Sequence, residues 1–110
     1  MIKPMIARIW HGYTTPENAP EYESVLNTQV IPGIAAMEID GYRKIEVLKK
    51  DGDTEVEFIT IMYFDSLNNI KDFVGDDYEV AHVPEVAQKL LTRFDKRSAH
   101  YTIQNLINYT

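Results

Sequence analysis

The chain divides into two strand–helix–strand units of nearly equal length, and that repeat restricts its fold more than any other feature. Apolar alternation at Met5 to Tyr13 leads into a helical pattern from about Glu17 to Val30 and then a second strand at Tyr42 to Lys50. Glu55 to Phe64 opens the second unit, followed by helical text from Ser66 to Val74 and a last strand from about Phe94 to Ile103. The order β-α-β-β-α-β predicts an α+β, ferredoxin-like domain, in which a four-stranded antiparallel sheet carries its helices on one face. With 110 residues, residues 1–110 form one domain.

The other face of that sheet needs a cover. Side chains alternate along a strand, so Met5, Ala7, Ile9, His11 and Tyr13 share one side, and Ile6, Arg8, Trp10 and Gly12 the other. Phe58, Thr60, Met62 and Phe64 point one way from the third strand, Ile59, Ile61 and Tyr63 the other. Apolar residues on both faces imply a second layer beyond the helices, and a partner subunit is the simplest one. The first set is expected to face the helices together with Phe58 to Phe64, placing Trp10, Arg8, Ile61 and Tyr63 at the interface, where aromatics and arginine are enriched.

Thr14-Thr15-Pro16-Glu17 has the form of a helix start, with a hydroxyl cap, proline in the first turn and an acid after it. Tyr22, Val25, Leu26 and Val30 make the inward stripe, and Ile31-Pro32-Gly33 is expected to end the helix. Asp51-Gly52 marks the hairpin between the middle strands. Asp65 or Ser66 caps the second helix, with Leu67, Ile70, Phe73 and Val74 inward and Gly75 closing it. The segment from Asp76 to His82 and a short helix from Pro84 to Leu91, with Val86, Leu90 and Leu91 inward, form an insertion suited to a lid or pocket wall. The tail from Gln104 to Thr110 is a candidate extension of the last strand onto a partner.

Charge and composition narrow the function. A net charge of −6 repels nucleic-acid phosphates and anionic lipid, so neither nucleic acid nor membrane is an expected partner. Without cysteine there is no disulfide framework, thiolate zinc site or cysteine nucleophile. The opening MIKPMIARIW has no leader-like apolar run, and no stretch reaches the roughly 18 apolar residues of a membrane span. A soluble, cytoplasmic protein is the expectation.

With strand order as frame, the opening Met5-Ile6-Ala7-Arg8-Ile9-Trp10-His11-Gly12, the segment Met62-Tyr63-Phe64-Asp65-Ser66 and the ending Ala99-His100-Tyr101 resemble the antibiotic-biosynthesis-monooxygenase superfamily over roughly residues 5 to 103. The resemblance implies a dimeric α+β barrel, two sheets packed face to face in a homodimer, with a pocket in each subunit between sheet and helices. It also implies functions ranging from cofactor-independent monooxygenases acting on polyphenols or quinols to haem-degrading enzymes and non-catalytic binders. Fold alone does not choose among them. The haem-degrading branch pairs an asparagine on the first strand and a tryptophan ending the third with a histidine after the second helix. In this chain His82 matches the last, whereas Phe64 and Ala7 stand at the other two positions.

Two histidines are candidates for a general base, since imidazole exchanges protons near neutral pH. His82 precedes the helix opened by Pro84 and is either a pocket base, a haem ligand or a surface histidine. His11 shares the presumed pocket side with Ile9, or is a satisfied core histidine; His100 reads as structural. Ile9, Phe58, Thr60, Met62, Phe64 and Phe73 are the candidate lining of a cavity for a small aromatic or quinone-like molecule, or else plain core. Glu79-x-x-His82 occurs once, too little for a carboxylate-bridged metal pair, so no metal is expected. The leading expectation is a homodimeric, cofactor-independent monooxygenase-like protein; the alternative is a non-catalytic small-molecule binder, with haem as one possible ligand.

Overall fold

A computed structural model describes residues 5–109; the readings that involve Met1–Pro4 and Thr110 lie outside the described residues. Strand β1 (Ile6–Thr14) is followed by helix α1 (Ala19–Val25), a π-helical turn (Leu26–Val30) and α2 (Ile31–Ala36). Then come β2 (Tyr42–Lys50), β3 (Val56–Phe64), α3 (Leu67–Val74), the short α4 (Glu85–Gln88), β4 (Arg93–Phe94) and β5 (Ala99–Thr102). The antiparallel sheet runs β2-β3-β1-β4, with β5 also on β1. This is the ferredoxin-like order, with the expected fourth strand divided into two short ones. No helix among the described residues is long and apolar enough to cross a membrane.

The first helical arm passes the point where it was expected to stop. Pro32 has no N–H and crowds the carbonyl one turn earlier, which normally ends or kinks a helix. Here the preceding turn widens to π geometry, and Ile31 donates its N–H to the Leu26 carbonyl across that wider ring. The wider turn absorbs the proline, so the arm continues through Ala36 and brings Ile34, 3% exposed, into the core. The start also moves: Thr15 Oγ1 accepts the Asn18 N–H at 3.1 Å, and regular helix begins only at Ala19.

The last strand is interrupted because its middle pairs elsewhere. Ala81 donates to the Lys96 carbonyl at 3.0 Å and Ser98 to the Glu79 carbonyl at 2.6 Å, with an isolated bridge between Val80 and Arg97. The insertion after α3 is therefore a strap tied to the sheet edge. The Trp10 indole fills the gap in the ladder by donating to the Asp95 carbonyl at 2.8 Å. Among the described residues beyond Thr102 the tail forms no strand, and Leu106, Ile107 and Tyr109 are exposed.

Register decides which residues face the helices. Directly opposed residues of an antiparallel pair share a face, and Arg8 lies opposite Met62, Trp10 opposite Thr60 and Gly12 opposite Phe58. Arg8 and Trp10 are therefore on the helix side with Phe58, Thr60, Met62 and Phe64. Ala7, Ile9, His11 and Tyr13 share the open face with Tyr63, Ile61, Ile59 and Glu57. This reverses the expected assignment for β1, while Ile61 and Tyr63 lie on the open face as expected. The helical layer buries Tyr22, Val25, Leu26, Val30, Ile70 and Phe73. Leu67 and Val86, expected inward, are exposed, and Ala87 is the buried residue of α4.

Candidate functional site

Between the helix side of the sheet and the helical layer lies a narrow cavity of about 40 Å³ that opens to solvent. Its floor is Arg8 and Trp10 from β1 with Thr60 and Met62 from β3. Tyr22, Leu26 and Ile34 form one wall, Phe73 a second, and His82, Val83, Pro84 and Ala87 the third. The lining is apolar except for a few convergent polar groups, which is the usual character of a ligand site.

Arg8 is the most unusual of those groups. It is 3% exposed yet has no carboxylate at salt-bridge distance among the described residues. Its guanidinium donates to the Tyr78 carbonyl at 2.6 Å, to the Val80 carbonyl at 2.6 Å and to His100 Nε2 at 2.9 Å, and it lies over the Phe73 ring at 5.6 Å. Burial lowers its pKa to about 10, so it is a cation at neutral pH. Since arginine can only donate, His100 Nε2 must be the acceptor and the proton sits on Nδ1. His100 is thus neutral, and its buried Nδ1 has no partner among the described residues.

The His82 ring packs against Phe73 with centroids 5.0 Å apart, one edge at the cavity and the residue as a whole exposed at the mouth. Desolvation first, and then the Arg8 charge, hold its pKa below the ordinary histidine value. His100 is lowered by the same two causes in the same order, with Glu79 opposing. Both imidazoles are therefore neutral at pH 7, and His82 can accept a proton from a ligand in the cavity.

The remaining candidates separate by face. Thr60, Met62 and Phe73 line the cavity with His82. Phe58 and Phe64, both 0% exposed, lie on the same face but beneath it: Phe58 meets Tyr22 edge-on at 4.8 Å and Phe64 stacks on Phe73 at 6.2 Å. Ile9 and His11 are not at the cavity. They face the open side of the sheet, where His11 Nδ1 lies 2.9 Å from Glu57 Oε2 and the Tyr13 hydroxyl donates to the same carboxylate at 3.3 Å. Period-two alternation cannot distinguish two apolar faces of one strand, and the choice made from it placed the wrong set inward. Trp10 and Arg8, expected at the interface, take those places. Glu79 turns away from His82 to Arg97, at 3.2 Å.

The neutral histidines predict a pH effect. Their folded pKa values lie below the 6.5 of the unfolded chain, so as pH falls through that value the unfolded state binds protons that the folded state refuses. Stability must then fall with acidification. We expect the urea midpoint to drop between pH 7.5 and 5.5, above the window in which Glu57 and Asp77, whose folded pKa values are also lowered, begin to be protonated. The drop should flatten in a His82→Asn, His100→Gln double variant; a midpoint indifferent to pH over this range would contradict the neutral assignment.

No family model and no curated protein sequence matches the chain. Solved structures do. A putative antibiotic biosynthesis monooxygenase from Bacillus cereus is 12% identical with a TM-score of 0.64, over 96% of this chain and 99% of that one. The ActVA-Orf6 monooxygenase of Streptomyces coelicolor, in complex with nanaomycin D, is 14% identical with a TM-score of 0.66, over 97% and 93%. A dimeric ferredoxin-like protein from an uncultured marine organism is 9% identical with a TM-score of 0.57, over 99% and 95%. The chain has the ferredoxin-like fold of the antibiotic-biosynthesis-monooxygenase structures over nearly its whole length.

Proposed function

We propose that the protein binds a small, flat aromatic phenol or quinone-like molecule in the cavity between sheet and helices and oxygenates it without a bound cofactor. The observation that carries this reading is a mainly apolar slot with a neutral histidine, His82, at its mouth and a cation, Arg8, in its floor. Structures of the same fold described as monooxygenases, one of them in complex with nanaomycin D, support it. A phenol in the slot would give its proton to His82, and the Arg8 charge would favour the resulting anion. An electron-rich phenolate can pass an electron to O₂ itself. One oxygen atom then ends as a new ring carbonyl and the other leaves as water, so that phenol plus O₂ gives quinone plus water. Apolar walls limit the water that competes at the reactive anion.

The proposal extends to a homodimer formed through the open sheet face. Ala7, Ile9, Ile59 and Ile61 are gathered there, Leu48 is 44% and Tyr101 58% exposed, and one protein of the same fold is a dimer.

The test supplies 1-naphthol and ¹⁸O₂. We expect 1,4-naphthoquinone with one labelled oxygen, formed roughly 10²-fold or more slowly by His82→Ala, the size of a lost general base. Naphthol that binds stoichiometrically and is recovered unchanged under air would instead identify a non-catalytic binder.

A further inference from the structure

From the surroundings of Arg8 we infer that the cavity selects an anion: its ligand is a flat aromatic or enolic molecule carrying one ionised oxygen acid, held by the Arg8 guanidinium. This inference rests on the reading of the cavity as an aromatic site and narrows it to a charge class.

A buried arginine is ordinarily paired with a carboxylate, because an isolated charge is costly to take out of water. Around Arg8 the available carboxylates are engaged elsewhere. Arg97, bridged to Val80 of the strap, holds Asp77 at 2.6 Å and Glu79 at 3.2 Å. Arg8 is left with two carbonyls and a neutral imidazole, which satisfy hydrogen bonds but cancel no charge. The two histidines beside it are kept neutral partly by its field, so they add no competing cation. The outcome is a guanidinium with no carboxylate at salt-bridge distance among the described residues, on a residue that lines an apolar slot within a chain of net charge −6. An oxyanion entering that slot meets its counter-charge in a poorly solvated place, where charge-assisted hydrogen bonds are strongest.

A structural role for Arg8, stapling the strap to β1, is real and compatible with ligand binding; the experiment must separate the two. Two isosteric pairs serve as probes in calorimetric titration of the wild-type protein: 1-naphthoate against 1-naphthamide, and 2-hydroxy-1,4-naphthoquinone, an anion at neutral pH, against its neutral 2-methoxy ether. We expect each anion to bind at least about 10-fold more tightly than its partner, as expected for a hydrogen bond to a charged group. The preference should vanish in Arg8→Met and persist in part in Arg8→Lys. Because the comparison is made on the wild type, it stands even where Arg8→Met does not fold. Equal affinities within both pairs would overturn the anion inference while leaving the aromatic site intact. Preference for naphthoate with neither quinone bound would uphold the inference and remove quinones from the proposed function. Failure of all four probes to bind would overturn both.

Discussion

Ile9→Glu is expected to convert the proposed homodimer to a monomer in size-exclusion chromatography with light scattering, while leaving the fold and ligand affinity in place. Ile9 sits on the central strand opposite Ile61 on one side and Ala99 on the other, in the middle of the open face. In a single subunit it is half-buried, so a glutamate there can still reach water, and His11 lies on the same face two residues on. Once a second sheet covers that face the carboxylate loses its water, and each dimer carries the charge twice. Burying an unpaired charge at an interface costs several kcal/mol, so dimer dissociation constants should rise by about 10³-fold or more. A variant that stayed dimeric but lost its ligand would show that Ile9 belongs to the cavity and that the face assignment is wrong. A wild type monomeric at micromolar concentration would remove the sheet-face dimer altogether.

The fold was legible because it depends on periodicity, which a sequence carries openly. Two units with matched strand and helix patterns, Asp51-Gly52 between the middle strands and Gly75 after α3 (φ 97°) left few arrangements open. The site was half legible for a related reason. Phe73 could be placed because its helix carries a distinct inward stripe, Met62 and Thr60 because they share a face with Phe58 and Phe64, and His82 because it stands just before the helix opened by Pro84. Arg8 and Trp10 were misplaced because β1 is apolar on both sides, and a charge on a strand ordinarily argues for the outside. The information that overrules it is held in distant backbone: the carbonyls of Tyr78 and Val80, some 70 residues away, which no local pattern announces. The same holds for the first helical arm, where the stop signal at Pro32 is genuine but is absorbed by one widened turn.

Trp10→Ala should be the most destabilising single change at the site, lowering unfolding free energy by about 3–5 kcal/mol. The indole is 8% exposed, packs against Phe94 with centroids 6.3 Å apart and lies over Gly12, where a Cβ would collide with its ring. Truncation removes that bulk, enlarges the floor of the cavity and leaves the Asp95 carbonyl without the donor that bridges the break between β4 and β5. Against a total of about 5–15 kcal/mol for an ordinary domain, the loss should be plain in urea denaturation followed by circular dichroism, the readout of choice once the only tryptophan is gone. Trp10→Phe keeps most of the volume and forfeits the indole N–H, so a smaller loss of about 1–2 kcal/mol is expected. The contrast between the two variants also tests the face assignment independently of Ile9. A tryptophan on the open face would be worth little to the isolated subunit, so Trp10→Ala would then weaken association and leave subunit stability within about 1 kcal/mol of wild type.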